Sequence, residues 1–201
     1  MTAHLRSWSP SDAEALAEIY AVADPELQRN IPEDHTAAGA STWIESILTA
    51  EADGTARAFA IVDGTRILGN VMATGTERRH STTWISYWLR PEARGQGLAS
   101  SALRTLVDVL HDDLGVYRLE LGYRVNNPAS GAVAAAAGFL VEGRERQRLD
   151  YGGVRYDTEV AARLSGDPRS PGGRLPIVRG DGSAAGGEGL AAGGDGSAAG
   201  G

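Results

Sequence analysis

The sequence predicts an α/β (α+β) fold in which helices flank a mixed sheet. The apolar pattern switches several times between the helical period and the alternating period of strands. A strand-like run over residues 84–89 leads into a glycine-containing loop, which is followed by an apolar stripe at helical spacing. The 201 residues are 42% hydrophobic, which is enough for one well-buried core.

The first third of the chain predicts one strand and two helices. Residues 4–8 are expected to form a short strand. The tetrad Ser-Pro-Ser-Asp at 9–12 is typical of a helix start, because Ser and Asp side chains accept hydrogen bonds from free N–H groups and proline fits the first turn. Residues 24–36 predict a loop or short helix, and residues 37–52 predict the second helix.

The middle of the chain predicts three strands. Residues 57–62 and 67–75 are expected to pair as a hairpin around Asp63-Gly64, since Asp-Gly favours a tight turn. Residues 81–90 form the next predicted strand. The hairpin and this strand together indicate a sheet that is antiparallel at least in part.

The elements after the glycine loop and its helix return the chain to the sheet. Residues 117–124 alternate apolar and polar side chains and predict a strand. A short alanine-rich helix over 129–137 is expected to end at Gly138, a typical C-terminal residue. Residues 139–150 and 154–164 are expected to close the sheet as a hairpin.

The chain changes character after residue 164. The remaining residues are mostly Gly, Ala, Ser, Asp and Arg, and the octet GDGSAAGG occurs at 180–187 and again at 194–201. Too few apolar groups are present to offset the entropy lost on ordering. We therefore expect one domain over residues 1–164 and a disordered tail over residues 165–201.

Composition excludes several classes of function. The chain has no cysteine, so it has no disulfide, thiol nucleophile or thiolate metal site. A formal net charge of −7 argues against a nucleic-acid partner. The excess of acidic residues lies in the first third of the chain. Residues 1–60 hold ten acidic residues and three arginines, whereas residues 61–201 hold sixteen acidic residues and sixteen arginines. Without a signal peptide or membrane-length apolar run, we expect a soluble, cytoplasmic protein with no membrane partner.

The loop RGQGLA at residues 94–99 is the most informative stretch. A helix that begins after a strand and a glycine turn presents unpaired N–H groups in one direction, and the positive end of its dipole attracts phosphate. Gly95 and Gly97 would let an anion approach the backbone, since glycine has no side chain. The loop is therefore expected to hold the pyrophosphate of a nucleotide-like cofactor.

This loop also fits the pattern R/Q-x-x-G-x-G/A, and Asn127 to Ser130 and Gly138-Phe139 follow at fitting distances. With the order of elements, the stretches SYWLRPEARGQGLASSAL, VNNPASGAVAAAAGFLVEG and RYDTEVAARL resemble the GNAT superfamily of acyl-CoA-dependent N-acetyltransferases, and most closely its RimJ/RimL-like branch of ribosomal-protein N-terminal acetyltransferases. The resemblance implies a sheet of about seven strands and about four helices, with strands 4 and 5 splayed apart around a cofactor cleft.

The resemblance also implies acetyl-CoA as co-substrate, with no metal. Backbone amides of the glycine loop would hold the diphosphate, and edge groups of strand 4 would pair with the pantetheine as an added strand would. Asn127 would hydrogen-bond the pantetheine, and Ser130 would lie near the thioester sulfur. The expected cofactor-binding residues are Trp88, Leu89, Arg90, Arg94, Gly95, Gln96, Gly97, Leu98, Ala99, Asn127 and Ser130.

The implied reaction is attack of a neutral amine on the thioester carbonyl, followed by protonation of the departing thiolate. Ser130 is the candidate proton donor, and the alternative is that it only caps the alanine-rich helix. Ala134 stands where many of these enzymes have a tyrosine acid, and Trp84 stands where the branch often has a glutamate base. The other candidates for a base are Glu77, His80 and Glu120.

The absence of a glutamate base at position 84 affects which amine can accept the acetyl group. Near pH 7 roughly a tenth of a peptide α-amine is neutral, whereas well under ~0.1% of a lysine amine is. A protein or peptide N-terminal α-amine is therefore the expected acceptor, with Trp84, Tyr87, Glu33 and Asp34 on the acceptor side, the two acids suiting a cationic acceptor.

Other functions stay open on the sequence. The acceptor could be a small amine such as a polyamine, an aminoglycoside or an amino acid, because the resemblance is weakest in the first third. The protein could also be an acyl-CoA-binding sensor without turnover. A Rossmann dinucleotide site is not supported, because the loop follows the fourth strand and no acidic residue ends a strand about twenty positions later. A monomer and a homodimer are equally compatible with the sequence.

Overall fold

The computed structural model describes residues 2–178. Over this range the strands are β1 (Ala3–Arg6), β2 (Arg57–Asp63), β3 (Arg66–Glu77), β4 (Thr82–Leu89), β5 (Arg118–Arg124), β6 (Leu140–Tyr151) and β7 (Val154–Leu164). The α-helices of the same range are α1 (Ala13–Ala21), α2 (Pro25–Gln28), α3 (Ala37–Ala52), α4 (Leu98–Asp108) and α5 (Pro128–Ala136). A π-helical turn, Val109–Asp113, extends α4.

The seven strands form one mixed sheet in the order β1-β2-β3-β4-β5-β7-β6. Neighbours are antiparallel except for β4 and β5, which are parallel. The predicted α/β class and the mixed sheet of about seven strands are confirmed. The structure has one helix more than the approximate number expected, because Asp24 caps the four-residue α2 by accepting a hydrogen bond from the Leu27 N–H group at 2.9 Å.

Helices pack on both faces of the central strands, and the sheet divides the core in two. Leu103 and Leu106 of α4 pack with Ile85 and Leu119 of the central strands on one face. The other face packs against α1 and α3, with Leu16, Ile44 and Val62 among the buried residues. Residues 58–62 of β2 and 67–71 of β3 are buried without interruption because both faces of the sheet are covered there. No helix within residues 2–178 is long and apolar enough to cross a membrane.

Strands β4 and β5 pair over only three positions. The paired residues are Thr82 with Arg118, Thr83 with Leu119 and Trp84 with Glu120. Beyond Trp84 the two strands separate, while β4 stays paired with β3 and β5 stays paired with β7. The predicted splayed pair is therefore present, and it leaves an opening in the middle of the sheet.

Residues 165–178 form a segment that runs beside α4 to the free edge of β1. The Arg174 Nε atom lies 2.6 Å from a carboxylate oxygen of Asp108 on α4. The Leu5 N–H group donates to the Pro176 carbonyl oxygen at 2.8 Å. Leu5 and Ile177 form an isolated parallel β-bridge at this edge of the sheet. Ion pairs and backbone hydrogen bonds hold this segment to the domain.

The structure thus differs from the predicted disordered tail over residues 165–178. The prediction counted apolar groups, whereas this part of the chain is held by polar contacts together with a single leucine, Leu175, that packs against the core. Residues 179–201, which include both copies of the octet, lie outside the described residues. The domain boundary at residue 164 stays a prediction.

The glycine at position 69 controls how closely β3 approaches β4. A Cβ atom at Gly69 would overlap the Trp88 carbonyl oxygen and lie 2.6 Å from a methyl carbon of Leu89. We expect Gly69→Ala to lower the free energy of unfolding by about 1–3 kcal/mol, as overpacking does elsewhere, because backbone must move to relieve it. Denaturant titration measures the loss.

Gly143→Ala is the matched control, since Gly143 also lies within a strand and a Cβ atom there would have nothing within 4 Å. Its effect on the free energy of unfolding should stay within about 1 kcal/mol. Equal losses in the two variants would contradict the close approach at Gly69.

Candidate active site

A cleft of about 470 Å³ opens where β4 and β5 separate. Its walls are the end of β4, the loop before α4, the first turns of α5, and the segment that contains α2. Most of the predicted cofactor-binding residues line it, namely Trp88, Leu89, Arg94, Gly95, Gly97, Leu98, Ala99, Asn127 and Ser130.

Two of the predicted cofactor-binding residues, Arg90 and Gln96, are not among the residues that line the cleft. The Arg90 N–H group donates to the Leu68 carbonyl oxygen at 2.9 Å, and its guanidinium lies 2.7 Å from the Glu92 carboxylate. The Gln96 side chain donates to the Glu92 carbonyl oxygen at 2.9 Å. Both residues use these polar groups within the protein.

The glycine loop has the geometry that its sequence predicts. Gly95 and Gly97 both have φ of +74°, a left-handed conformation that strains other residues. The first hydrogen bond of α4 runs from the Ser101 N–H group to the Gly97 carbonyl oxygen at 3.0 Å. Helix geometry therefore leaves the N–H groups of residues 98–100 without helical acceptors, beside the cleft.

The side chain of Arg94 is turned toward α2. Its guanidinium makes two contacts with the Asp24 carboxylate, at 2.6 and 3.0 Å, and its Nε atom donates to the Leu89 carbonyl oxygen at 3.1 Å. The hydrogen bond from Arg94 lowers the pKa of Asp24. This ion pair fastens the loop to the N-terminus of α2, so the loop offers an anion mainly its backbone N–H groups.

Glu26 is the one carboxylate that lines the cleft within residues 2–178. It accepts a hydrogen bond from the Asn127 side chain at 3.0 Å and contacts the guanidinium of Arg124. The guanidinium of Arg29 lies 3.2 Å from the other oxygen of the Glu26 carboxylate. These contacts with Arg124, Arg29 and Asn127 make Glu26 an anchor between α2, β5 and α5.

The acidic residues of the first third do not form a free anionic wall at the cleft. Asp24 and Glu26 are each paired with arginine. Asp34 accepts hydrogen bonds from the N–H and hydroxyl groups of Thr36, and neither Glu33 nor Asp34 lines the cleft. The charge imbalance that the sequence indicates is therefore neutralised locally at this site.

Asn127 and Ser130 meet at the start of α5. The Asn127 side-chain oxygen accepts from the Ser130 N–H group at 3.1 Å, so Asn127 caps the helix and Ser130 lies three residues further on. The Ser130 hydroxyl is 2.9 Å from the hydroxyl oxygen of Tyr87 on β4. The side chain of Ser130 is therefore not the cap of α5, and it faces Tyr87 across the opening.

Tyr87 and Trp84, both predicted on the acceptor side, occupy different places. Tyr87 lines the cleft, and burial raises the pKa of its hydroxyl. Trp84 lies on the opposite face of β4, does not line the cleft, and is 44% exposed. Its ring is close to Gly122 of β5, where a Cβ atom would lie 3.2 Å from it.

The other candidate bases are engaged elsewhere. The Glu120 carboxylate lies 2.6 Å from the Arg118 Nε atom. Glu77 accepts hydrogen bonds from the N–H groups of Arg79 and His80, and these bonds lower its pKa. None of the three candidate bases, Glu77, His80 and Glu120, lines the cleft.

The α2 segment contributes cleft residues that the sequence did not identify. Leu27 and Asn30 line the cleft together with Glu26. The Asp24-Pro25 start of α2 is visible in the sequence as a helix signal, but nothing in the spacing places this helix beside a loop seventy residues away. The contacts of Asp24 with Arg94 and of Glu26 with Arg124 and Asn127 reveal that position.

Comparison with known proteins identifies the family. The acetyltransferase (GNAT) domain family matches residues 3–140. YdaF of Bacillus subtilis (strain 168), provisionally assigned as a ribosomal N-acetyltransferase, is 28% identical over 159 residues, which cover 76% of this chain and 86% of YdaF. The ribosomal-protein-serine acetyltransferase of Escherichia coli (strain K12) is 31% identical over 111 residues, or 55% of this chain and 62% of that enzyme.

Solved structures share the fold. The ribosomal-protein-S5-alanine acetyltransferase from Vibrio fischeri superposes with a TM-score of 0.77 at 22% identity, over 83% of this chain and 95% of that one. RimL, a ribosomal L7/L12 α-N-protein acetyltransferase in complex with coenzyme A, superposes with a TM-score of 0.75 at 24% identity, over 82% and 94% of the two chains.

The family match spans more than half of this chain. The relatives with which the chain aligns are named as acetyltransferases. The fold agrees, including the parallel pair of β4 and β5 that opens into the cleft. The protein belongs to the acetyltransferase (GNAT) family and is an acetyl-CoA-dependent N-acetyltransferase.

Proposed function

We propose that this enzyme transfers the acetyl group of acetyl-CoA to the α-amine of a protein or peptide N-terminus. The opening between β4 and β5 carries the proposal, because it joins the free N–H groups at the start of α4 to the hydroxyl group of Ser130. An acyl-CoA thioester needs both of these features, because the N–H groups would bind its diphosphate and the hydroxyl group would donate a proton to its sulfur.

The residues at the cleft fit acetyl-CoA. A Cβ atom at Gly95 or Gly97 would have nothing within 4 Å, so the loop leaves room for a diphosphate beside the backbone. The N–H groups of residues 98–100 supply donors at the positive end of a helix dipole. The edge of β4 around Trp88 and Leu89, unpaired on the β5 side, suits the amides of the pantetheine arm.

The side chains of Arg94 and Asn127 are already hydrogen-bonded within the protein, and these bonds determine how each would contribute to cofactor binding. The ion pair of Arg94 with Asp24 steadies the loop, so the diphosphate would rest on backbone donors. Asn127 already donates to Glu26 and accepts from Ser130, so the pantetheine would either share these hydrogen bonds or displace the one to Glu26.

The chemistry requires one proton to leave the amine and one to reach the sulfur. As the neutral nitrogen attacks, the new C–N bond forms, the C–S bond breaks, and the thiolate departs. In the proposed reaction Ser130 donates its hydroxyl proton to the sulfur while it accepts a proton from water, and that water receives the proton of the amine. The reaction thus needs no net acid or base.

The charge state of the acceptor supports an α-amine. Glu26 is held by Arg124, Arg29 and Asn127, and the other candidate carboxylates lie elsewhere, so the described residues offer no carboxylate at the cleft that is free of an ion pair. Such a site depends on amine that is already neutral, roughly a tenth of an α-amine but well under ~0.1% of a lysine amine near pH 7. The names of two relatives, which specify a ribosomal-protein serine and an S5 alanine, agree with a protein N-terminus.

The phosphate loop can be tested with a matched pair of glycines. Gly97 and Gly115 both have positive φ and both have open space where a Cβ atom would lie, but only Gly97 lines the cleft. Replacing either by alanine should cost roughly 1–2 kcal/mol of stability through the left-handed backbone. Only Gly97→Ala should raise the KM for acetyl-CoA, by about tenfold or more, which corresponds to about 1.4 kcal/mol of binding.

Initial rates over a range of acetyl-CoA concentrations give these KM values. Similar KM values for the two variants would argue against a diphosphate at this loop. Because the backbone strain is common to both, a difference in KM cannot be attributed to strain alone.

The acceptor can be tested with two peptides that share one internal lysine and differ only in acetylation of the N-terminus. At pH 7 the peptide with a free N-terminus should react at least about 100-fold faster, the factor set by the neutral fractions of the two amines. Thiol release reports the rate. A blocked, lysine-free peptide provides the baseline. Equal rates on the first two peptides would overturn the α-amine assignment, and faster turnover of a polyamine than of every free peptide would favour a small-molecule acceptor.

A further inference from the structure

The hydroxyl group of Ser130 has a partner from the opposite wall of the cleft. The Tyr87 hydroxyl oxygen lies 2.9 Å from the Ser130 Oγ atom and 3.0 Å from the Ser130 carbonyl oxygen. Tyr87 belongs to β4 and Ser130 to α5, so this contact crosses the opening in the sheet. It brings a phenol to the group that the proposed function uses as proton donor.

A count of hydrogens leaves two arrangements for this contact. The carbonyl oxygen can only accept, and a phenol has one hydrogen. In the first arrangement the phenol donates to the carbonyl and Ser130 donates to the phenol oxygen, which turns the serine proton away from the cleft. In the second the phenol hydrogen is shared by the Ser130 Oγ and carbonyl oxygens, which leaves the serine proton free.

Only the second arrangement allows Ser130 to donate to sulfur. The serine oxygen then has its full set of partners: it accepts from the phenol, accepts from the relay water, and donates to the thiolate. The first turn of α5 does not compete for this hydroxyl, because Asn127 already caps the helix. Burial also raises the pKa of Tyr87, so the phenol keeps its hydrogen and stays a donor.

We propose that Tyr87 is a positioning residue that donates to Ser130 and thereby directs the Ser130 proton toward the sulfur of the departing coenzyme A. The inference rests on the proposed function, in which Ser130 relays a proton from water to that sulfur. Tyr87 gives up no proton: the C–S bond breaks, the serine proton moves to sulfur, and the water proton replaces it. The phenol holds the serine oxygen in place throughout.

The test is a double-mutant cycle of Tyr87→Phe and Ser130→Ala. Tyr87→Phe keeps the ring and removes the hydroxyl, so kcat should fall at least about tenfold while the KM for acetyl-CoA changes less than about twofold. Added to Ser130→Ala, the same substitution should change kcat less than about twofold, because residues that act as one unit are strongly non-additive.

Tyr20→Phe is the matched control. The hydroxyl of Tyr20 is also buried, packs on the other face of the sheet, and has no hydrogen-bond partner among the described residues. Its removal should leave kcat and KM unchanged. Thermal unfolding of each variant confirms that the compared proteins are folded.

Three outcomes would overturn the inference. An unchanged kcat for Tyr87→Phe would show that the phenol only fills space. Equal losses from Tyr87→Phe with and without Ser130 would show that Tyr87 does not act through the serine. An unchanged kcat for Ser130→Ala would remove the serine relay itself, while the peptide comparison would still report independently on the acceptor.

Discussion

The loss of pairing between β4 and β5 is the constraint on which the site depends. The two strands share only three residue pairs and then separate, yet neither is left unsupported, because β3 holds β4 and β7 holds β5. The sheet can therefore open without coming apart. The cost is a row of backbone groups without partners in the ladder, and such groups need partners from a ligand or from water. The cleft is thus a consequence of the sheet topology, and the helices on either side determine what it can bind.

Ion pairs on α2 bind the first third of the chain to both walls of the cleft. Asp24 pairs with Arg94 of the glycine loop, and Glu26 contacts Arg124 of β5 and the Asn127 side chain at the start of α5. A movement of α2 would therefore disturb the anion site and the start of α5 together. The same pairs neutralise two of the acids that are concentrated in the first third of the chain. This arrangement joins the α2 segment, the glycine loop and the start of α5 in one connected structure.

Most of the elements could be predicted from local pattern. The hairpin at Asp63-Gly64, the strand before the glycine loop, the stripe on α4 and the helix that ends at Gly138 all follow from periodicity and turn residues. The segment over residues 165–178 could not, because its order comes from contacts such as Arg174 with Asp108, which join residues far apart in the chain. Composition measures the apolar burial that a segment can supply, and it does not report polar contacts with another element.

The sequence by itself determined the order of the elements, the glycine loop at the start of α4, and the resemblance to an acetyltransferase family, because each depends on residues close together in the chain. Only the tertiary structure decided which side chains were free. It placed Asn127 between Glu26 and the α5 backbone, turned Arg94 away toward Asp24, and set Tyr87 against Ser130. Hydrogen bonds and ion pairs of this kind join residues tens of positions apart, and their formation depends on how the sheet opens and the helices pack.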